Sequence, residues 1–462
     1  MLNRLVIASL LVATAASAVM PPYGKAWAQG RNTISLIRDA ETEDTIRTFV
    51  TPVFEAAGLD AQVVQIHLIG DKTLNAFVAG GQHIFINTGL LLRVRNPNEL
   101  IGVIAHETGH ISGGHLARIQ DQFRSASVQS ILAMVLGAAA AVAGSPGAAM
   151  AMMMGGQQVA LRTLLQYSRT QESAADQAAA SFLDRTGQSG RGLVSFLEIL
   201  GGQEALQAAR QDPYVRTHPV TNERIAALSA TVEKSRFRDV PDKPENVERL
   251  ARVQAKLFGF MESPGATMLK YPLSDTSVPA RYARAVAWYR QVDLGRSVPE
   301  IDSLIAERPN DPYFHELKSQ MLFENGRVAE AIPSSETAVR LRPQDALLRF
   351  ALGQAQVAMD NPALLKPAIA NLEEVVRRDP EYAPAWLNLA IAYGRDGNRG
   401  MAAYASAERF MLQGNKRDAR GQANIALRLL PTGAPGWLRA QDILVATDKD
   451  EDKDDRPRSR RR

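Results

Sequence analysis

The residues with the most chemical content stand together in one short stretch, "HETGHISGGH", at residues 106–115. His106 and His110 are four positions apart, and Glu107 stands between them. In an α-helix the two rings fall roughly 40° apart around the axis, so both can reach one metal ion, while Glu107 lies about 100° from His106. A carboxylate beside a metal-bound water can take up its proton. The spacing therefore predicts a water-activating metal site, and a surface helix with two coincidental histidines is the alternative.

A second stretch, "ESAAD" at residues 172–176, supplies what such a site still needs. The chain has no cysteine, so a metal must be held by histidine and carboxylate side chains. A catalytic zinc ion with two histidine ligands requires a third protein ligand and an open position. Glu172 can be that ligand, and Asp176 can accept a hydrogen bond from the far nitrogen of a ligating histidine. His115 would point about 140° away from His110 on a continuing helix, so we expect it beside the site or at the surface.

Several elements must position these side chains. Apolar spacing predicts a helix from Ile34 to Gly58, and the alternation in "AQVVQIHLIGD" predicts a strand after it. "NAFVAGGQHIFINTGLLLR" predicts two short strands, separated by Gly80 and Gly81, and then a short helix. Pro97 is typical of a first helical turn and predicts the start of the helix that carries His106.

The first 28 residues have the features of a secretory signal peptide. Arg4 precedes an apolar run, and small residues permit cleavage after Ala28. An uncleaved anchor helix is the alternative, although the apolar run is short for a membrane span. A block rich in Ala, Met and Gly occupies residues 125–160, and we expect a mobile flap or hairpin near the site. A segment that touches the membrane and a plain core helix are its alternatives.

The C-terminal half has a repeating proline pattern. Pro309 and Pro343 are 34 residues apart, and Pro380 repeats their surroundings. We expect degenerate tetratricopeptide repeats over residues 281–445, whose stacked helix pairs leave a concave binding groove, with a generic helical bundle as the alternative. Residues 446–462 mix opposite charges and predict a disordered tail. The net charge is only +4, and basic residues are scattered among acidic ones, so no nucleic-acid partner is expected.

Three motifs together, "IGVIAHETGHI", "ESAAD" and "THPVTNERI", resemble the gluzincin metallopeptidases that include the heat-shock protease HtpX and the CAAX prenyl endopeptidases. A signal peptide, a peptidase domain at residues 29–235, a linker at 236–280 and C-terminal repeats look like the periplasmic β-barrel assembly-enhancing proteases of Gram-negative bacteria. The resemblance implies an α+β zincin-like metallopeptidase domain followed by an all-α tetratricopeptide-repeat solenoid.

The resemblance also implies roles for single residues. It implies one Zn²⁺ per chain, bound by His106, His110 and Glu172, with Glu107 as the general acid and base. His218 and Arg224 match a motif that lies over the site in the family, where either can stabilise the oxyanion. His218 could instead occupy the fourth zinc position as a latch ligand. The edge strand to which a substrate would add corresponds to Asn75, Ala76 and Phe77.

The function implied is a periplasmic zinc endopeptidase, soluble or peripherally membrane-associated, in the quality control and assembly of outer-membrane β-barrel proteins. It would degrade misassembled substrates, and its repeats would bind unfolded outer-membrane proteins or the β-barrel assembly machinery. One alternative is a chaperone or scaffold that uses the repeat groove, with proteolysis secondary. Another is a peptidase that contacts the membrane through residues 125–160.

Overall fold

The computed structural model describes residues 35–115, 169–201, 214 and 218–454. The predicted signal peptide and the block at residues 125–160 lie outside the described residues. Among the residues described, no helix has both the length and the apolar content needed to cross a membrane.

A small mixed sheet lies in the N-terminal part. Strands β1 (Leu36–Ile37), β2 (Gln65–Ile69), β3 (Ala76–Ala79) and β4 (His83–Asn87) are arranged in the order β1-β2-β4-β3. β2 and β4 are parallel, whereas β1 and β3 run antiparallel to their neighbours. The short β1 falls inside the stretch where apolar spacing predicts only helix, because pairing with β2 overrides the local pattern.

Helices cover one face of this sheet. α1 (Ala40–Ala56) begins after Asp39, whose carboxylate accepts from the amide of Thr42 at 2.8 Å. A short α2 (Thr88–Arg93) leads to α3 (Pro97–Ser112), which is capped by Asn96 and carries Pro97 in its first turn. α3 is buried along most of its length, since it lies in the middle of the peptidase core.

Two further helices pack against α3, namely α4 at residues 169–185 and α5 (Arg191–Gly201), and α6 (Asn222–Val232) packs against α5. Glycines of α3 let α4 and α5 approach closely. A Cβ on Gly109 would stand 2.8 Å from the carbonyl oxygen of Ala175 in α4, and one on Gly102 would stand 2.9 Å from the amide of Leu193 in α5. The backbone of α4 therefore passes directly against the part of α3 that carries the histidines.

The C-terminal part is built of antiparallel helix pairs. The segment expected to link the two parts contains α7 (Pro244–Met261) and α8 (Pro264–Lys270), and α7 packs against both α1 and α9. The pairs that follow are α9 (Val278–Arg290) with α10 (Leu294–Glu307), α11 (Pro312–Glu324) with α12 (Val328–Leu341), α13 (Ala346–Ala358) with α14 (Leu365–Arg378), α15 (Ala383–Arg395) with α16 (Arg399–Leu412), and α17 (Lys416–Leu429) with α18 (Pro435–Asp454).

The pairs repeat with the period that the prolines predict. α9, α11 and α13 begin at residues 278, 312 and 346, and α10, α12 and α14 each end two residues before Pro309, Pro343 and Pro380. The chain therefore consists of an α+β domain followed by an all-α tetratricopeptide-repeat region, the fold class that the resemblance implies. α18 continues to Asp454, past residue 446, where the sequence predicts a disordered tail to begin.

Candidate metal centre and active site

Four potential metal ligands converge at the junction of α3, α4 and the segment before α6. One ligand atom from each of His106, His110, Glu172 and His218 lies within 4.8 Å of the others, and all four residues are largely buried. Glu172 Oε2 is 3.3 Å from His106 Nε2, and Glu172 Oε1 is 3.3 Å from His110 Nε2. The Nδ1 atom of His218 is 3.2 Å from Glu172 Oε2. The carboxylate thus stands between three imidazoles.

Glu107 lies on the same turn of α3 and is fully buried. Neither of its carboxylate oxygens has a hydrogen-bond partner among the described residues, and His218 Nε2 lies 3.6 Å from Oε1. A buried carboxylate without a partner is costly, so the arrangement provides for a proton donor such as water at this point. Burial raises the pKa of Glu107, which makes it a better proton acceptor.

Asp176 and Arg224 contact the potential metal ligands and can fix their orientation. Asp176 Oδ1 is 2.9 Å from His106 Nδ1, so the aspartate can accept the proton on that nitrogen and leave Nε2 directed at the cluster. Arg224 donates to both oxygens of Asp176, at 2.8 and 2.9 Å, and its Nη1 is 3.0 Å from Glu172 Oε2. Arg224 therefore contacts the carboxylates of Asp176 and Glu172. A residue that donates to the oxyanion would be expected to point towards Glu107, and Arg224 does not.

Two residues have closer contacts with the site than the sequence indicates. His115 is buried, and its Nδ1 is 3.0 Å from Nδ1 of His110, so it can fix the tautomer of that ligand. Tyr214, which no motif marks, stacks on His218 with ring centroids 4.6 Å apart. The carbonyl of Tyr214 also accepts from the amide of His218 at 2.7 Å. In the sequence, only the aromatic residue four positions before His218 indicates this contact.

The protonation preferences of the cluster follow from burial and these contacts. Burial by itself lowers the pKa of His106, but hydrogen bonds to Asp176 and Glu172 outweigh burial and raise the pKa to about 10. Burial lowers the pKa of His110 to about 4, in spite of its contact with Glu172. Burial opposes ionisation of Glu172, yet the neighbouring histidines hold its pKa well below the ordinary value. The site therefore favours the ionised form of the Glu172 carboxylate, which the neighbouring histidines stabilise.

This donor set fits a metal ion. Two imidazole nitrogens and one carboxylate match the three protein ligands of a catalytic zinc site, and His218 lies where a fourth ligand would be. Ion pairing among these groups is an imperfect substitute for a metal ion, because the Nε2 atoms of His106 and His110 lie within 3.1 Å of each other.

The comparison with known families bears on the same residues. The profile of peptidase family M48 matches residues 40–232, the segment that contains α3, α4 and His218. The chain carries an M48 metallopeptidase domain.

Relatives extend the similarity beyond the M48 domain. The chain is 24% identical over 398 residues to the β-barrel assembly-enhancing protease of Yersinia pestis, covering 85% of this chain and 80% of the relative. It is 26% identical to the protein of that name in Escherichia coli K12, covering 75% of this chain and 71% of the relative. The solved structure of a thermophilic TPR protein of Thermus thermophilus covers 35% of this chain and 95% of its own, at 21% identity and a TM-score of 0.23.

The edge strand of the M48 domain is β3, which begins beside this cluster. Asn75 precedes it, Ala76 is buried and Phe77 is half-buried. The amide of Tyr214 donates to the carbonyl of Leu74 at 3.3 Å. Tyr214 therefore contacts both His218 and the segment that leads into the edge strand.

Proposed function

We propose that the protein is a zinc-dependent endopeptidase of the periplasm that takes part in the quality control and assembly of outer-membrane β-barrel proteins, and that it degrades misassembled ones. The observation that carries the proposal is the group of four buried donors around Glu107 in an M48 domain. One zinc ion per chain, bound by His106, His110 and Glu172, accounts for the donor types and their separation.

The chemistry of hydrolysis follows from the contacts. A bound Zn²⁺ supplies Lewis acidity, which polarises the peptide carbonyl and lowers the pKa of water. Glu107, with its pKa raised by burial, takes the proton from that water and later gives it to the leaving amine. Asp176 keeps the proton of His106 on Nδ1, and Arg224 orients Asp176 and Glu172. The peptide adds to β3 as a further strand, which brings its backbone past the cluster.

Three features support the proposed partners and compartment. The relatives that share most of this chain are named for β-barrel assembly, and the helix pairs after residue 278 are of the kind that stack to form binding surfaces for protein segments. The signal-like N-terminal sequence supports export. We propose unfolded outer-membrane proteins and their assembly machinery as the partners.

Exchange of Glu107 for Gln tests the proposal. The amide keeps the shape of the side chain but cannot take up a proton, so casein digestion by the purified zinc-loaded protein should fall by roughly 10²- to 10⁴-fold. Zinc content, measured by atomic absorption, should stay near one ion per chain. Glu198→Gln, at an exposed position of α5, is the control and should digest casein at the wild-type rate.

A Glu107→Gln variant that digests casein normally would remove Glu107 from the mechanism. If the variant loses digestion but restores barrel assembly to cells that lack the wild-type gene, the chaperone or scaffold function is the main one.

A further inference from the structure

The face of the sheet that points away from the core carries a row of aromatic rings. Phe77 of β3 stands opposite Phe85 of β4, and Phe85 stands opposite His67 of β2. The rings of Phe77 and Phe85 stack with centroids 5.1 Å apart and planes 12° apart. Those of Phe85 and His67 stack at 4.7 Å and 20°. We call these three residues the aromatic ladder, since it crosses three strands in register.

The aromatic ladder lies on the face opposite the hydrophobic core. Along β3, Ala76 and Val78 are buried in that core, while Phe77 between them is half-buried on the other face. Strand residues alternate between faces, so the alternation of burial places the ring of Phe77 on the outer face. None of the three rings is therefore needed to fill the core.

The two ends of the aromatic ladder differ. At one end, His67 Nε2 is 2.9 Å from His83 Nδ1, and β1 pairs with the other edge of β2. At the other end, Phe77 belongs to the terminal strand of the described sheet, so the ladder stops where a further strand would add. Among the described residues, the ladder can therefore be extended beside β3.

The extendable end lies next to the catalytic cluster. Leu74, just before β3, accepts from the amide of Tyr214, and the ring of Tyr214 stacks on His218. A peptide strand held along β3 therefore passes both the cluster and Phe77. Its side chains alternate between the two faces, and one of those on the outer face would stand directly opposite or diagonal to Phe77.

We propose that Phe77 determines specificity by forming a subsite for one aromatic side chain of the substrate strand. This inference rests on the proposed function, in which the substrate adds to β3. An aromatic ring beside Phe77 continues the stacking that already runs through Phe85 and His67, whereas an aliphatic side chain gains only apolar contact. Cross-strand aromatic pairs stabilise sheets in the same way.

A series of internally quenched peptides tests the subsite with the zinc-loaded full chain. One host peptide without aromatic residues carries a single Phe, moved one position at a time, and a parallel series carries Leu instead. We expect kcat/KM for Phe to exceed that for Leu by roughly 2- to 10-fold at one position. The two flanking positions should show no such difference, because their side chains point to the other face.

Three variants link this preference to Phe77. Phe77→Val should abolish the preference for Phe while the Leu peptide is still cleaved, and Phe77→Tyr should keep it. Phe323→Val removes a half-buried ring from α11 of the repeats, outside the proposed substrate strand, and should leave the preference intact. Circular dichroism and zinc content establish that each variant is folded.

The outcomes separate the subsite from the proposed function. Equal cleavage of Phe and Leu peptides at every position by the wild type would overturn the subsite, and this comparison needs no variant to fold. A preference that survives Phe77→Val would overturn it as well. If neither the peptides nor casein are cleaved by the wild type, the proposed function fails first and the subsite fails with it.

Discussion

Glu172 is the residue on which the cluster depends. It lies within 3.3 Å of both His106 and His110, and both His218 and Arg224 also contact it. Its low pKa keeps it anionic at neutral pH, as a metal ligand must be. His115, in contrast, meets the cluster at the far nitrogen of His110.

The metal affinities of two alanine variants should differ for this reason. Glu172→Ala removes a ligand, and we expect the affinity for zinc to fall by more than about 100-fold. His115→Ala removes an orienting contact, which typically costs about 10- to 100-fold, and we expect the lower end. Competition with a chromogenic chelator measures both constants. Equal losses in the two variants would contradict our choice of the third ligand.

His218 gives a second test at this scale. Together with the three proposed ligands it makes a complete four-donor set, and we propose that in the resting enzyme it occupies the fourth zinc position as a latch. His218→Ala should then raise the rate of casein digestion at equal zinc occupancy. A residue that only donates to the oxyanion would instead show a fall of roughly 10²- to 10³-fold. His315→Ala, a histidine of the repeats, is the control and should not change the rate.

Among the elements, the contact between α3 and α4 determines the geometry of the site. The contact depends on Gly109, whose Cα faces the backbone of Ala175 between Glu172 and Asp176. The surrounding alanines of α4 keep the remaining surface small. Close helix packing therefore places a carboxylate within reach of two histidines on another helix.

Gly109→Ala should separate these helices. A Cβ 2.8 Å from the Ala175 carbonyl and 3.0 Å from its Cα forces a backbone shift, and such overpacking costs about 1–3 kcal/mol of folding stability. Zinc affinity should fall as well, because Glu172 and Asp176 move with α4. Gly394→Ala in α15 meets nothing within 4 Å and should be neutral or stabilising by up to about 1 kcal/mol. Thermal unfolding and zinc titration of both variants decide the point.

The turn between α9 and α10 offers a stabilising change. Val292 has a φ of 62°, whereas the equivalent turns after α11, α15 and α16 place Gly326, Gly397 and Gly414 in the left-handed region. A β-branched residue there costs roughly 1–2 kcal/mol, which exceeds the entropic cost of glycine. Val292→Gly should raise the free energy of unfolding by up to about 1 kcal/mol, measured by thermal unfolding. A lower melting temperature would show that the side chain of Val292 contributes contacts that compensate for its strain.

In the molecule as a whole, buried charges join the peptidase domain to the repeats. Lys256 of α7 is 1% exposed, and its Nζ lies 2.5 Å from Asp39 at the start of α1 and 3.3 Å from Glu316 of α11. Beside it, Arg252 pairs with Glu41 of α1 at 2.7 Å and with Asp311, the N-cap residue of α11, at 2.5 Å. α1 also packs against α3, so the same helix contacts both the repeats and the element that carries the histidines.

Lys256→Met should weaken this junction strongly. It leaves the carboxylates of Asp39 and Glu316 without their buried partner, and breaking a buried pair on one side typically costs about 3–5 kcal/mol. Lys366→Met breaks an exposed pair with Asp396 and should cost less than about 1 kcal/mol. Chemical denaturation measures both. A second exchange, Asp39→Asn, should recover part of the loss in Lys256→Met but destabilise the wild type.

Local patterns in the sequence already determined much of this protein. Two histidines and a glutamate within one turn of α3 have a fixed relation because a helix fixes it, and the same holds for Glu172 and Asp176. The spacing of the prolines predicted the helix pairs of the repeats, because a proline disfavours a helical conformation in the residue before it and so marks the end of a helix. The zinc ion and the roles of the individual residues remain predictions.

Only the tertiary structure decided which distant residues meet. It placed Tyr214 on His218 and Arg224 on two carboxylates, and it buried His115 against His110, which helix geometry had placed on the far side. The chain turns at Gly113 and Gly114 instead of continuing α3, and this change of direction reverses the expected orientation. The aromatic ladder depends on strand register: the turn at Gly80 and Gly81 sets the pairing of β3 with β4 locally, whereas the parallel pairing of β2 with β4 is set by packing across the sheet.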